Sequence, residues 1–177
     1  VEKREDGTAP KDVDLFLTLR HFDAAGKEIF YTGASSALSS SSSGFRLTSG
    51  PGLSWNLAGT AGDPVPLVKG WLRASLRAID ESSPRNRAYL PYRGYRSTDV
   101  SYLEPLTPYS LLVEIWPTCV VVDKGASIVL EVATGDTQGA AIFLHDEPTD
   151  RDEETFGGTN TVWFGEDHEN WLQLPIV

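Results

Sequence analysis

Apolar residues recur at every second position in short runs bounded by glycine, proline and aspartate, which is the period of a half-buried strand. In the first run Val13, Leu15, Leu17 and Leu19 alternate with Asp14, Phe16 and Thr18, predicting a strand over residues 13–19. The string Asp23-Ala24-Ala25-Gly26 follows, and Gly26 supplies the positive φ that a tight loop needs. Residues 27–32, with Ile29, Phe30 and Tyr31, therefore return as the second arm of a hairpin. Similar runs predict strands over 70–79, 111–122, 127–133, 140–145, 159–164 and 171–177. No window of a dozen residues carries a helical period between capping signals. Many short strands without βα alternation define an all-β chain, an antiparallel sandwich or jelly roll. Trp71 and Leu72 are expected to open a central strand, with Trp71 buried and Arg73 and Arg77 paired with carboxylates or backbone carbonyls. Trp116, Trp163 and Trp171 fall in strand runs too, which makes them expected core residues.

Two irregular segments interrupt this pattern. Residues 34–62 contain five consecutive serines, Ser39 to Ser43, and several glycines, a composition that reads as a flexible insertion. Its apolar residues Phe45, Leu47, Leu53, Trp55 and Leu57 are out of place in a free linker. For Trp55, an interface role and local packing both stay open. Residues 82–108 carry Tyr89, Tyr92, Tyr95 and Tyr102 among arginines and prolines, the composition of a loop that wraps against another surface. Phe45, Trp55, Tyr92 and Tyr95 are the candidate interface residues.

Length and charge narrow the function. The 177 residues, 40% of them hydrophobic, fit a single domain over 1–177 with a sizeable core. Lys plus Arg number 15 against 25 Asp plus Glu, a net charge of −10, which disfavours nucleic acid and anionic membranes as partners. The charge is uneven. Between Asp146 and Glu169 nine acidic residues face only Arg151, whereas between Lys69 and Arg96 seven bases face only Asp80 and Glu81. One face is thus suited to an acidic neighbour, although solvation explains most charge runs. A lone Cys119 excludes an internal disulfide, and no apolar run reaches the roughly 20 residues of a membrane span. The single cysteine and the absence of a signal peptide in this segment favour the cytoplasm.

Chemistry is sparse. A nucleophile elbow requires Gly-x-Ser-x-Gly, and Gly52-Leu53-Ser54-Trp55-Asn56, Gly33-Ala34-Ser35-Ser36-Ala37 and Gly125-Ala126-Ser127-Ile128-Val129 all miss it. With only His21, His145 and His168 available, no catalytic residue is assigned and the chain is not expected to be an enzyme by itself. No His-x-x-x-His, Cys-x-x-Cys, phosphate loop or dinucleotide fingerprint occurs, so neither metal nor cofactor is assigned. The acidic string from Asp146 to Glu154 offers oxygen ligands but lacks the spacing of a calcium loop. A solvated loop is the preferred reading over a calcium site.

The run Asp14-Leu15-Phe16-Leu17-Thr18-Leu19-Arg20-His21-Phe22-Asp23-Ala24-Ala25-Gly26-Lys27-Glu28, followed by Lys69-Gly70-Trp71-Leu72-Arg73-Ala74-Ser75-Leu76-Arg77, resembles the C-terminal domain of X-prolyl dipeptidyl-peptidases and cocaine-esterase-type serine hydrolases. Leu106-Thr107-Pro108, Val113-Glu114-Ile115-Trp116-Pro117-Thr118, Lys124-Gly125 and the ending Leu172-Gln173-Leu174-Pro175 occur in the matching order. The resemblance implies a galactose-binding-like jelly roll without catalytic residues, attached to an α/β-hydrolase domain of the same parent chain. There it would brace the catalytic domain, help to wall its substrate pocket and contribute oligomer contacts. Leu76 and Ala126-Ser127 depart from the family's usual histidine-containing strings. The family domain usually starts several strands earlier, so part of the sheet is expected to be missing here. The exposed edge and apolar face would then be covered by residues 45–57 or by a second chain. A free-standing carbohydrate-binding module and an assembly module are the alternatives, because fold does not fix function.

Overall fold

The structure, a computed structural model, describes residues 1–31, 66–137 and 144–176. The insertion at 34–62, with Phe45 and Trp55, lies outside the described residues, as does most of the strand expected over 140–145. Among the described residues four strands form one sheet: β1 (Asp14–Phe22), β2 (Glu28–Ile29), β3 (Val68–Arg73) and β4 (Ser127–Ala133). Among the described residues helix is limited to a single turn, α1 (Glu153–Phe156), and two 3₁₀ turns, Ala74–Leu76 and Ser97–Asp99. The chain is an all-β domain built on an antiparallel sheet.

β1 is the central strand. β4 runs antiparallel along it in unbroken register from Phe16↔Ala133 to Phe22↔Ser127, and β2 pairs His21↔Ile29 and Phe22↔Glu28. β3 also neighbours β1: Leu67 N–H donates to the Leu19 carbonyl and Ala74 N–H to that of Val13. The hairpin expected at Asp23-Ala24-Ala25-Gly26 is present. Asp23 N–H donates to the Lys27 carbonyl, the Asp23 carboxylate accepts from the Ala25 and Lys27 amides, and Gly26 takes φ +78°.

The chain divides into two compact units, Val1–Leu15, Trp71–Glu114 and Asp146–Val177 in the first, Phe16–Gly70 and Ile115–His145 in the second. In the first, Val13, Ala74 and Leu103 form a small buried cluster against which Val1, Leu15, Tyr109 and Leu111 pack. Asp12 is buried beside it, and its Oδ1 accepts from the Val13 and Ser75 amides. In the second, Phe16, Thr18, Leu19 and His21 of β1 are buried. Thr18 Oγ1 lies 3.0 Å from Thr137 Oγ1, His21 Nδ1 lies 2.6 Å from the Tyr31 hydroxyl, and Arg20 bridges Glu28 and Glu131 across three strands.

Several expectations are corrected. Leucines were expected to define the inner face of β1, yet Phe16 and Thr18 are buried while Leu15 and Leu17 are half-buried. Buried residues occur on both faces of β1, Asp14, Phe16 and Thr18 on one and Leu19 and His21 on the other, and Asp14, Thr18 and His21 each have a polar partner. The strand expected over 70–79 starts earlier and stops at Arg73, because Ala74 and Ser75 enter a buried 3₁₀ turn. Within it Leu72 is buried, at 3% exposure, whereas Trp71 is half-buried. Side-chain alternation along β3 allows only one of two adjacent residues to point inward. Residues 111–122, 159–164 and 171–176 form no strand; the first makes an isolated bridge, Gly70↔Ile115. Accordingly Trp116, Trp163 and Trp171 are exposed rather than core. Alternation suits a strand only where a ladder forms, and beyond the single bridge at Ile115 these segments join no ladder among the described residues.

Candidate interaction surfaces

In the first unit, the acidic segment that begins at Asp146 is bound into the fold. Arg73, at the end of β3, donates from Nε and Nη2 to Asp14 at 2.8 and 2.9 Å and from Nη1 and Nη2 to Asp150 at 2.9 and 2.7 Å. Arg151 Nε lies 2.9 Å from Asp14 Oδ2, the oxygen that also accepts from Arg73 Nη2, and the Arg73 guanidinium sits 4.8 Å from the centroid of the Phe156 ring. These carboxylates hold the Arg73 guanidinium protonated far above ordinary pH. Asp152 caps α1 by accepting from the Thr155 amide, which holds its carboxyl below the usual range. Arg4 completes the clasp by donating to the Glu153, Glu154 and Gly157 carbonyls. Among the described residues, no three metal-ligating side chains converge. Asp150, Asp152 and Glu154 of the run weighed as a calcium loop serve as ion-pair and cap partners instead.

The arginine- and tyrosine-rich loop of the same unit is anchored from below and exposed above. Arg93, 6% exposed, donates to the Arg77 and Leu112 carbonyls. Arg77 in turn binds the Ala74 and Ser101 carbonyls and lies 4.4 Å from the Tyr109 ring centroid. The expected pairing of Arg73 and Arg77 is therefore present. Between these anchors Arg87 and Leu90 exchange both backbone hydrogen bonds at 3.0 Å, lifting Ala88 and Tyr89 onto a two-residue turn. Tyr89 is 70% exposed there. Tyr92 is half-buried under the Arg85 guanidinium, 5.6 Å away. Tyr95 is exposed and has φ +50°, a left-handed backbone uncommon for tyrosine. The Asp99 carboxylate secures the adjoining turn by accepting from the Arg96 amide. Tyr92 and Tyr95 thus share one loop. Tyr89 was named in the wrapping loop but not chosen as a candidate interface residue and Leu90 was not named, although the arginines at 85 and 87 were a usable signal.

In the second unit apolar residues of β4 face outward. Val129, Leu130 and Val132 are all exposed, on both faces of the strand, and Trp116, Val121 and Val122 are exposed in the same unit. Among the described residues β4 pairs only with β1. Its sequence, SIVLEVA, has neither lysine nor proline to protect an edge, and its one charge, Glu131, is engaged by Arg20.

The three histidines have separate partners. His21 is bonded to Tyr31, His145 pairs with Asp136 at 3.0 Å, and His168 packs on Trp163 with ring centroids 5.1 Å apart. Polar contacts are devoted to holding loops, and apolar side chains are left on the outside. The family model for the X-Pro dipeptidyl-peptidase C-terminal non-catalytic domain matches residues 7–173, and the chain belongs to that family. No curated protein and no solved structure matches it.

Proposed function

We propose that this domain braces an α/β-hydrolase domain of the same parent chain, of X-Pro dipeptidyl-peptidase or acyl-esterase type. It also helps to wall the substrate pocket and contributes oligomer contacts. The observation that carries this reading is the exposed β4 strand. Among the described residues β4 pairs only with β1, and an edge with Val129, Leu130 and Val132 outward and no gatekeeping residue is an aggregation hazard unless a partner covers it. A hydrolase domain supplies a partner held at high effective concentration by the chain itself.

The test is to express the chain and the hydrolase domain encoded with it as separate polypeptides and to measure their association. Binding that stabilises the hydrolase domain and is abolished by Val129→Asp supports the reading. Absence of binding, or binding indifferent to that change, refutes it.

A further inference from the structure

The first unit carries two exposed aromatic turns of opposite charge. The basic turn, closed by Arg87 and Leu90, carries exposed Tyr89 just after Arg85 and Arg87. The Arg87 guanidinium donates to the Pro84 and Asn86 carbonyls and that of Arg85 to the Tyr92 hydroxyl, and neither is paired with a carboxylate among the described residues. The acidic turn is closed by His168 N–H donating to the Gly165 carbonyl at 3.1 Å, with Gly165 at φ +119°. Asn170 Nδ2 locks it by donating to the Trp163 and His168 carbonyls. Glu166 and Asp167 occupy its tip beside Phe164, which is 72% exposed, and neither forms an ion pair among the described residues.

We propose that the basic turn of one copy docks onto the acidic turn of a second copy of this chain. Tyr89 would lie against Phe164, with Arg85 and Arg87 facing Glu166 and Asp167. Tyrosine and arginine are the side chains that most often anchor interfaces, since they bury large areas with few rotors or form planar charge-assisted hydrogen bonds. Both turns are already fixed by their own hydrogen bonds, so little ordering cost falls on association. The inference rests on the oligomer-contact part of the reading above and is independent of the hydrolase domain. The surface differs from β4.

The experiment is sedimentation of the full 177-residue chain over a range of concentrations in low and high salt. Self-association should weaken at least about tenfold between low and high salt, because exposed charge pairs are screened. Arg85→Glu with Arg87→Glu, and separately Glu166→Arg with Asp167→Arg, should each weaken it by a further factor of about ten or more. An equimolar mixture of the two reversed proteins should associate more tightly than either alone, and a folding defect cannot mimic that rescue. A chain that is monomeric throughout overturns this inference and the oligomer-contact reading together. Association abolished by Val129→Asp but indifferent to both charge reversals overturns this inference alone. Reversals that weaken association without rescue on mixing also overturn it.

Discussion

Replacing Asp14 by alanine should unfold the first unit far more readily than replacing Asp150, although both carboxylates bind Arg73. The Asp14 side chain is 11% exposed and accepts from Arg73 twice while lying 2.9 Å from Arg151 Nε. Removing it leaves two guanidiniums, 26% and 15% exposed, facing each other across the lost anion. Breaking a buried pair by deleting one partner costs about 3–5 kcal/mol, and the residual exposure of Arg73 places Asp14→Ala near the lower end, about 3 kcal/mol. Asp150 is 60% exposed, so solvent takes over its role and Asp150→Ala should cost at most about 1 kcal/mol. Urea titration followed by tryptophan fluorescence measures both. A double-mutant cycle with Arg73→Ala should recover part of the Asp14 penalty, because the stranded cation is removed with its partner. Equal costs for the two aspartates, or a loss below about 1 kcal/mol for Asp14→Ala, would refute the claim that burial sets their difference.

Leu72→Ala should cost about 2–5 kcal/mol and exceed Trp71→Ala, and denaturant titration giving the reverse order would return the tryptophan to the core. Gly158→Ala should cost about 1–3 kcal/mol, since its φ is +147° and a Cβ there would meet Pro10 Cγ at 2.9 Å; thermal unfolding of the variant checks this. The Asp152 and Asp80 carboxyls are held below the usual range, chiefly by the Thr155 amide and the Ser82 hydroxyl respectively. Their contribution to stability is therefore complete above about pH 4 and is lost as pH falls through their lower folded values. Asp152→Asn should flatten the acid limb of a stability-versus-pH curve.

The hairpin at Asp23-Ala24-Ala25-Gly26 and the strand over 127–133 were legible because local signals decide them: an aspartate that can bond the turn amides, a glycine at positive φ, and a β-branched run between turn residues. The inward face of β1 was less legible. Alternation cannot say which face is more buried when both are covered, and the partners of Asp14, Thr18 and His21 come from distant parts of the chain. The tryptophans misled for a related reason. Trp116, Trp163 and Trp171 are exposed and lie outside the strands; Trp116 N–H bonds the Lys69 carbonyl beside the isolated Gly70↔Ile115 bridge, but alternation in sequence does not say whether such a contact extends into a ladder. Tyr92 and Tyr95 were found through composition, whereas the exposed tip at Tyr89 depends on the backbone exchange between Arg87 and Leu90.

The central claim, an accessory role without chemistry of its own, is tested most directly by assaying an X-Pro p-nitroanilide and an acyl ester with three samples: the purified chain, the hydrolase domain encoded with it, and the two mixed. The account predicts no turnover and no serine-probe labelling by the chain alone, with greater activity and thermal stability of the hydrolase domain once the chain is added. Stoichiometric probe labelling of the chain alone, abolished by a single Ser→Ala change, would contradict it.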